Sequence, residues 1–372
     1  MGVASPFFLE VTMQLTTTNT NLIYNNDALP SLIDAWSDPE RVGKPAVMTY
    51  GELGVKDLPA EGTCIAYLDV EGHPALAAAD PRAGFDDVDL DRLFAFATFR
   101  EWSRHHCDPR RGILLMGPSG TGKTVFLETR FAQRGIPMYS VTGSPDAILA
   151  DWIMTKEVVN GTTYWEPGPL LQAMTEGVPF VIQEIDLLNP AQLTSINEIV
   201  DKGICLRCDD KSVVRAKRGF MVFGTCNSSF TEDRSGAFRG TRGQNQSVLN
   251  RFYKYTVTHA TPDQEVEVIQ RIHPEIALPL ATRMAHLAEL TRAAAADEGA
   301  QGGKLSVPLS RRHLLDWADI LKGMAYLRNS GKNIDLATYT LEFVYTGNLP
   351  AEERATIDHL FKLAFTAADT DS

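Results

Sequence analysis

The stretch GPSGTGKT, Gly117 to Thr124, constrains this chain more than any other segment. It satisfies G-x-x-x-x-G-K-[ST] in full, and it lies between the apolar run GILLM and a stretch of helical spacing from Gly122 to Arg134. The glycines let the backbone curl so that its N–H groups converge on phosphate oxygens, and the start of the helix adds a favourable dipole. Gly117, Pro118, Ser119, Gly120, Thr121 and Gly122 form the expected cradle. Lys123 is placed to reach the β- and γ-phosphates, and the Thr124 hydroxyl to ligate magnesium, so ATP and Mg2+ are the expected cofactors.

Such a loop needs a buried strand before it and a helix after it. From Arg111 strands and helices do alternate: GILLM, IPMYSVT, PFVIQ, FMVFGT and FYKYTVT read as strands. The alternation predicts an α/β fold, a parallel sheet covered by helices. After Pro262 the strands stop and five helical segments follow, from DQEVEVIQRIH to AEERATIDHLFKLAF, so an all-helical domain is expected. The 372 residues divide into an N-terminal region at 1–80, a nucleotide-binding core at 81–261 and a helical lid at 262–372. The first region is least readable: FFLEVTMQL and TCIAYLDV look like strands and LPSLIDAW like a short helix, which suggests a small α/β or β-rich unit. DVDLDRLFAFATFREWSRHH then reads as an amphipathic helix, with Leu90, Leu93, Phe94, Ala97 and Glu101 at helical spacing.

The net charge of −12, from 35 basic and 47 acidic residues, does not favour nucleic acid as a partner, although a local basic patch remains open. No apolar run approaches the roughly 20 residues that cross a bilayer. No secretory signal is visible, so no membrane and a cytoplasmic location are expected. Five cysteines argue against a disulfide scaffold. Cys205 and Cys208 form a CxxC on a probable strand, where the sulfurs diverge, and His105, His106 and Cys107 read as a polar helix end rather than a metal site.

Phosphate chemistry needs acids on a neighbouring strand tip. GVPFVIQEIDLL offers Gln183 and Glu184 there, with Glu184 as the candidate to polarise the attacking water and Asp186 read as a helix-start residue. FGTCNSS ends the next strand with Asn227, a candidate to orient that water. Arg234, Arg239, Arg242 and Arg251 follow in a Gly- and Asn-rich run, and Arg251 stands where a helix gives way to the last strand. An arginine there is suited to stabilise the γ-phosphate of a neighbouring subunit. Ser310-Arg311-Arg312 opens a lid helix, where Arg312 either reports nucleotide state or pairs with a surface acid.

Taken in order, these residues resemble those of the AAA+ ATPases, more narrowly the MoxR branch that includes the ATPase subunit of cobalt chelatase. GPSGTGKT resembles the Walker A motif, GPLLQAMTEGVPFVIQEIDLL the approach to Walker B, GTCN the sensor 1 segment at Asn227, and GAFRGTRGQNQSVLNRF the segment carrying the arginine finger at Arg251. LSRRHLLDWA is similar to the sensor 2 motif, at Arg312, and residues 1 to about 80 lie outside the resemblance. The resemblance implies a homo-hexameric ring that remodels a protein substrate, working with a von Willebrand A domain protein. It also implies that MTKEVVNGTTYWEPG and CLRCDDKSVVRAK are inserted β-hairpins, the first facing a central pore; Asn160-Gly161 is itself a strong type I′ turn. The cobalt chelatase-like alternative is metal insertion. A nucleotide-gated nucleic-acid-binding module, using the Arg234–Arg251 run and the Lys211–Arg218 hairpin, is the third reading. Where the family has Asp, this chain has Gln183, a neutral acceptor at the magnesium shell. Hydrolysis is therefore expected about ten-fold below a Gln183→Asp form, roughly 1.4 kcal/mol on the barrier.

Overall fold

The computed structural model of the chain describes residues 42–55, 58–77, 87–104, 108–227, 246–296, 305–329 and 335–366. His105, His106 and Cys107, and Arg234, Arg239 and Arg242, lie outside the described residues, as do FFLEVTMQL and LPSLIDAW.

The described N-terminal part is a β-hairpin. β1 (Lys44–Thr49) and β2 (Thr63–Leu68) pair antiparallel from Lys44 opposite Leu68 to Thr49 opposite Thr63. β2 carries Cys64, Ile65, Ala66 and Tyr67, all buried. Ile65 and Tyr67 join the main hydrophobic core, so the hairpin is packed onto the α/β unit. The Tyr67 hydroxyl donates to the Gly177 carbonyl at 3.0 Å, and its backbone N–H to that of Arg134 at 2.9 Å. α1 (Val88–Ser103) begins at Asp87, whose side chain caps the Leu90 N–H. Its Leu90, Phe94, Ala97 and Trp102 face inward. Two acids are buried on the same face. Asp91 is held by Arg130 at 2.6 Å, and Glu101 by Arg104 and Arg110. Helical spacing placed Glu101 correctly; its burial is tolerated because the charge is paired.

The sheet is built from β3 (Gly112–Met116), β4 (Tyr139–Thr142), β7 (Phe180–Gln183), β10 (Val222–Cys226) and β11 (Phe252–Thr256). Its order is β11-β3-β10-β7-β4, all parallel. Both faces are covered, which is why Ile113, Leu114, Val181, Ile182 and Phe223 are all buried without alternation. Helices α2 (Lys123–Gln133), α3 (Leu149–Ile153), α4 (Pro169–Glu176), α5 (Pro190–Ser195), α6 (Asn197–Lys202) and α7 (Gln246–Leu249) connect the strands. The first expected hairpin, β5 (Met154–Val159) with β6 (Thr162–Pro167), interrupts the helical segment between α3 and α4. Asn160 and Gly161 both take positive φ, 52° and 78°, the type I′ signature. The second, β8 (Ile204–Leu206) with β9 (Val213–Arg215), precedes β10.

The lid comprises α8 (Pro262–Ile272), α9 (Leu278–Ala296), α10 (Arg311–Gly323), α11 (Leu336–Val344) and α12 (Ala351–Thr366). It has its own core around Ile269, Met284, Leu287, Leu314 and Trp317. The buried Trp317 indole donates to Thr340 Oγ1 at 2.9 Å, satisfying its only polar atom. No helix among the described residues is long and apolar enough to cross a membrane.

Candidate functional site

In a parallel sheet the C-terminal strand tips share one edge. Cys226 stands beside Met116, and Gly224 beside Ile182, so the loops after β3, β7 and β10 emerge together. The GPSGTGKT loop follows β3 there. At Gly117, φ is 147° and a Cβ would lie 2.0 Å from the Val257 carbonyl oxygen. At Gly120, φ is 76° and a Cβ would lie 2.7 Å from Ser310 at the start of α10. Only glycine fits either position, and the second shows that the lid closes directly on the loop. Thr121 Oγ1 donates to the Pro118 carbonyl at 3.0 Å, bracing the turn, while Ser119 is exposed at its tip. Thr124 sits in the first turn of α2, half-buried. The cradle therefore has the curled backbone, helix start and cation that suit a nucleoside triphosphate.

Lys123 is buried, and its Nζ donates to the carbonyls of Gly117 and Pro118 at 2.8 and 2.7 Å and to Asn227 Oδ1 at 3.0 Å. Burial pushes its ammonium down to about 8, opposed by the nearby Cys226, Asp186 and Glu184. Asn227 in turn donates through Nδ2 to Glu184 Oε1 at 3.4 Å. Lys123, Asn227 and Glu184 thus form one connected set, as the sequence placed them. Glu184 has a left-handed backbone, φ 51°, and its N–H donates to Thr225 Oγ1 at 3.3 Å. That strained conformation turns the chain sharply at the strand tip, aiming the carboxylate at the cleft. Gln183 ends β7 beside Thr142 of β4, and its backbone carbonyl accepts from Gly143 at 2.7 Å.

Asp186 does stand in the first turn of a helix, as expected, but it is buried rather than turned outward. It lies inside a one-turn 3-10 helix, Ile185–Leu187, is 1% exposed, and its Oδ2 accepts from the Asn227 backbone N–H at 3.2 Å. The turn set by Glu184 folds it back into the site. Arg312 does not pair with a surface acid among the described residues. It is exposed at the start of α10, beside Gly120, while its neighbour Arg311 pairs with Glu265 at 2.9 Å. Glu265 is buried and also binds Arg292 at 2.8 Å.

Arg251 is not brought to this cleft. β11 starts with Phe252 beside Gly112, the first residue of β3, whereas the phosphate loop follows Met116. About 13 Å of strand separates the two edges. Arg251 Nε instead stands 2.7 Å from Asp201 Oδ2.

Beside Lys123 opens a cavity of about 350 Å³, lined by Asp87, Leu90, Val257, His259, Gln264, Val268 and Arg311 among others. Burial pushes the His259 imidazole down to about 4, assisted by Arg292, so it is neutral near pH 7. These residues come from separate parts of the chain; Lys123 and Arg311 lie in stretches the sequence singles out, whereas Val257, His259, Gln264 and Val268 belong to no short motif.

Residues 112–239 match the AAA domain of the dynein-related subfamily. The chain is 27% identical over 290 residues to the aerobic cobaltochelatase subunit CobS of a Sinorhizobium species, covering 73% of this chain and 84% of that protein. It is 28% identical over 160 residues to protein NorQ of Paracoccus denitrificans, 43% of this chain and 57% of NorQ. Among solved structures, the Thermotoga maritima RuvB Holliday junction branch migration motor aligns with a TM-score of 0.43 at 16% identity, over 72% of this chain and 70% of that one.

Proposed function

We propose that this chain, which belongs to the AAA+ ATPases and is of their MoxR type, close to CobS, hydrolyses ATP in a ring of its own copies to remodel a protein partner. The observation that carries this reading is the connected set Lys123, Asn227 and Glu184 at the mouth of a glycine cradle. The triphosphate lies along Gly117–Thr124, with Lys123 released from the loop carbonyls to bind it, and the nucleoside occupies the adjoining cavity. Thr124 and Gln183 are the residues suited to hold magnesium, which when bound neutralises charge on the phosphate oxygens. Glu184 takes the proton of the attacking water, and Asn227 fixes the orientation of Glu184. Arg312 reaches the γ-phosphate from the lid.

Arg251 stands at the far edge of the sheet, paired with Asp201 and away from its own subunit's phosphate loop, so any nucleotide it met would be another subunit's, which supports assembly. A homo-hexamer with a von Willebrand A domain protein as partner, in the cytoplasm, is the form proposed. The β5–β6 hairpin exposes Val158, Tyr164 and Trp165, a suitable surface for a polypeptide substrate. The identity with CobS over most of the chain favours, as a second reading, service to a metal-inserting complex.

Glu184→Gln tests the central reading. It is expected to retain ATP binding and to lose turnover by about 10²-fold or more, as for removal of a general base. Equal turnover in the variant, or none in the wild-type protein, would overturn hydrolysis at this site. The trapped variant also provides bait: a cobalt- or von Willebrand-type partner that co-purifies with it in ATP separates the two readings.

A further inference from the structure

The strand tip lacks a carboxylate at Gln183, yet the site does not lack a second carboxylate. Asp186 is 1% exposed, and its Oδ2 receives the Asn227 N–H at 3.2 Å. Asn227 Oδ1 meets Lys123 Nζ at 3.0 Å, so Asp186 is one residue removed from the phosphate lysine. Asp186 also acts on Lys123 by charge, ahead of Glu184 in strength. A buried carboxylate this near an anion-binding loop is costly unless cations share the site, so its placement needs a reason. Gln183, by contrast, makes no side-chain hydrogen bond among the described residues and takes part through its backbone.

Resting on the reading of this cleft as an ATP site, we propose that Asp186 supplies, from the turn after β7, the negative charge that Gln183 does not, and thereby sets the magnesium requirement for nucleotide binding. Asp186 is a positioning residue: it anchors the Asn227 backbone, and its charge acts on Lys123, which Asn227 Oδ1 also meets. Two neutral or anionic positions, 183 and 186, then share a task that a single strand-tip carboxylate could perform. Moving the charge from one to the other should be tolerated; removing it should not.

The test is binding of a fluorescent ATP analogue as magnesium is titrated, in wild type, Asp186→Asn, Gln183→Asp and the double variant Gln183→Asp/Asp186→Asn. Asp186→Asn is expected to raise the half-saturating magnesium concentration by about ten-fold, with binding in excess chelator unchanged. The double variant is expected to return to within about two-fold of wild type, a rescue that a merely structural aspartate would not permit. Gln183→Asp alone is expected to change the half-saturation by less than the same substitution does in the Asp186→Asn background. This comparison also decides the matter if Asp186→Asn alone folds poorly. An unchanged magnesium dependence in Asp186→Asn, or no rescue in the double variant, would overturn the inference. Wild-type protein that binds no analogue at any magnesium concentration would overturn the ATP-site reading itself.

Discussion

Arg251 Nε lies 2.7 Å from Asp201 Oδ2, and the other oxygen of the same carboxylate lies 3.2 Å from Arg111 Nη1. One aspartate thus holds two arginines at the sheet edge opposite the phosphate loop. Arg251→Ala is expected to leave ATP affinity of the isolated subunit unchanged and to lower turnover of the assembled protein by about 10³-fold. Binding and turnover measured across protein concentration check this. Assembly with wild-type turnover would remove Arg251 from the chemistry.

Asn227 joins the lysine to the glutamate. Its side chain is within 3.0 Å of Lys123 Nζ and 3.4 Å of Glu184 Oε1. Asn227→Ala is expected to change ATP affinity little and to lower turnover by about 10²-fold, comparable to loss of one preorganised polar contact. Single-turnover kinetics with saturating nucleotide separate the chemical step from binding. A loss confined to affinity would mean that Asn227 serves the cradle alone.

Glu265 is 1% exposed and pairs with both Arg292 and Arg311, tying α8 to α9 and α10. Glu265→Gln leaves two cations without their shared carboxylate. A loss of about 3 kcal/mol in lid stability is expected, the usual result of breaking a buried pair. Urea denaturation monitored through Trp317, in the lid core, reports it. A midpoint equal to wild type would show that solvent replaces the carboxylate at no cost.

His259 titrates at about 4 when folded, below its ordinary 6.5, because burial disfavours the imidazolium. Between those values the unfolded chain binds a proton that the folded chain does not. This contribution to stability is therefore complete above pH 6.5 and is lost as the pH falls towards 4. His259→Gln should flatten that part of the profile, so that the variant gains relative to wild type on acidification. Denaturation midpoints over this range, without nucleotide, check the sign. Parallel profiles would show that His259 is solvated in solution.

The phosphate loop, the five strands and the lid helices were legible because each is written in contiguous residues with one period. Lys123 followed from the glycine-rich motif, and Glu184 and Asn227 from strand ends in a parallel sheet. The burial of Asp186 was not legible. Its inward aim depends on the left-handed φ of Glu184, a backbone choice that acidic side chains do not announce. The cavity was hidden for a different reason: Asp87, His259 and Arg311 are brought together only by packing of α1, β11 and the lid. Glu101 had the spacing of a core residue, and it is one, but for reasons of charge supplied by arginines that the helix itself does not contain entirely.

Gly120 meets Ser310 so closely that not even a methyl group fits between them. Ser310 is also the cap of α10, holding its first turn through a reciprocal contact with His313. The loop and the lid therefore abut, and a displacement of the loop towards Ser310 would have to be met by a helix of 13 residues, about 20 Å long. A small tilt at its capped end would be a larger movement at the other.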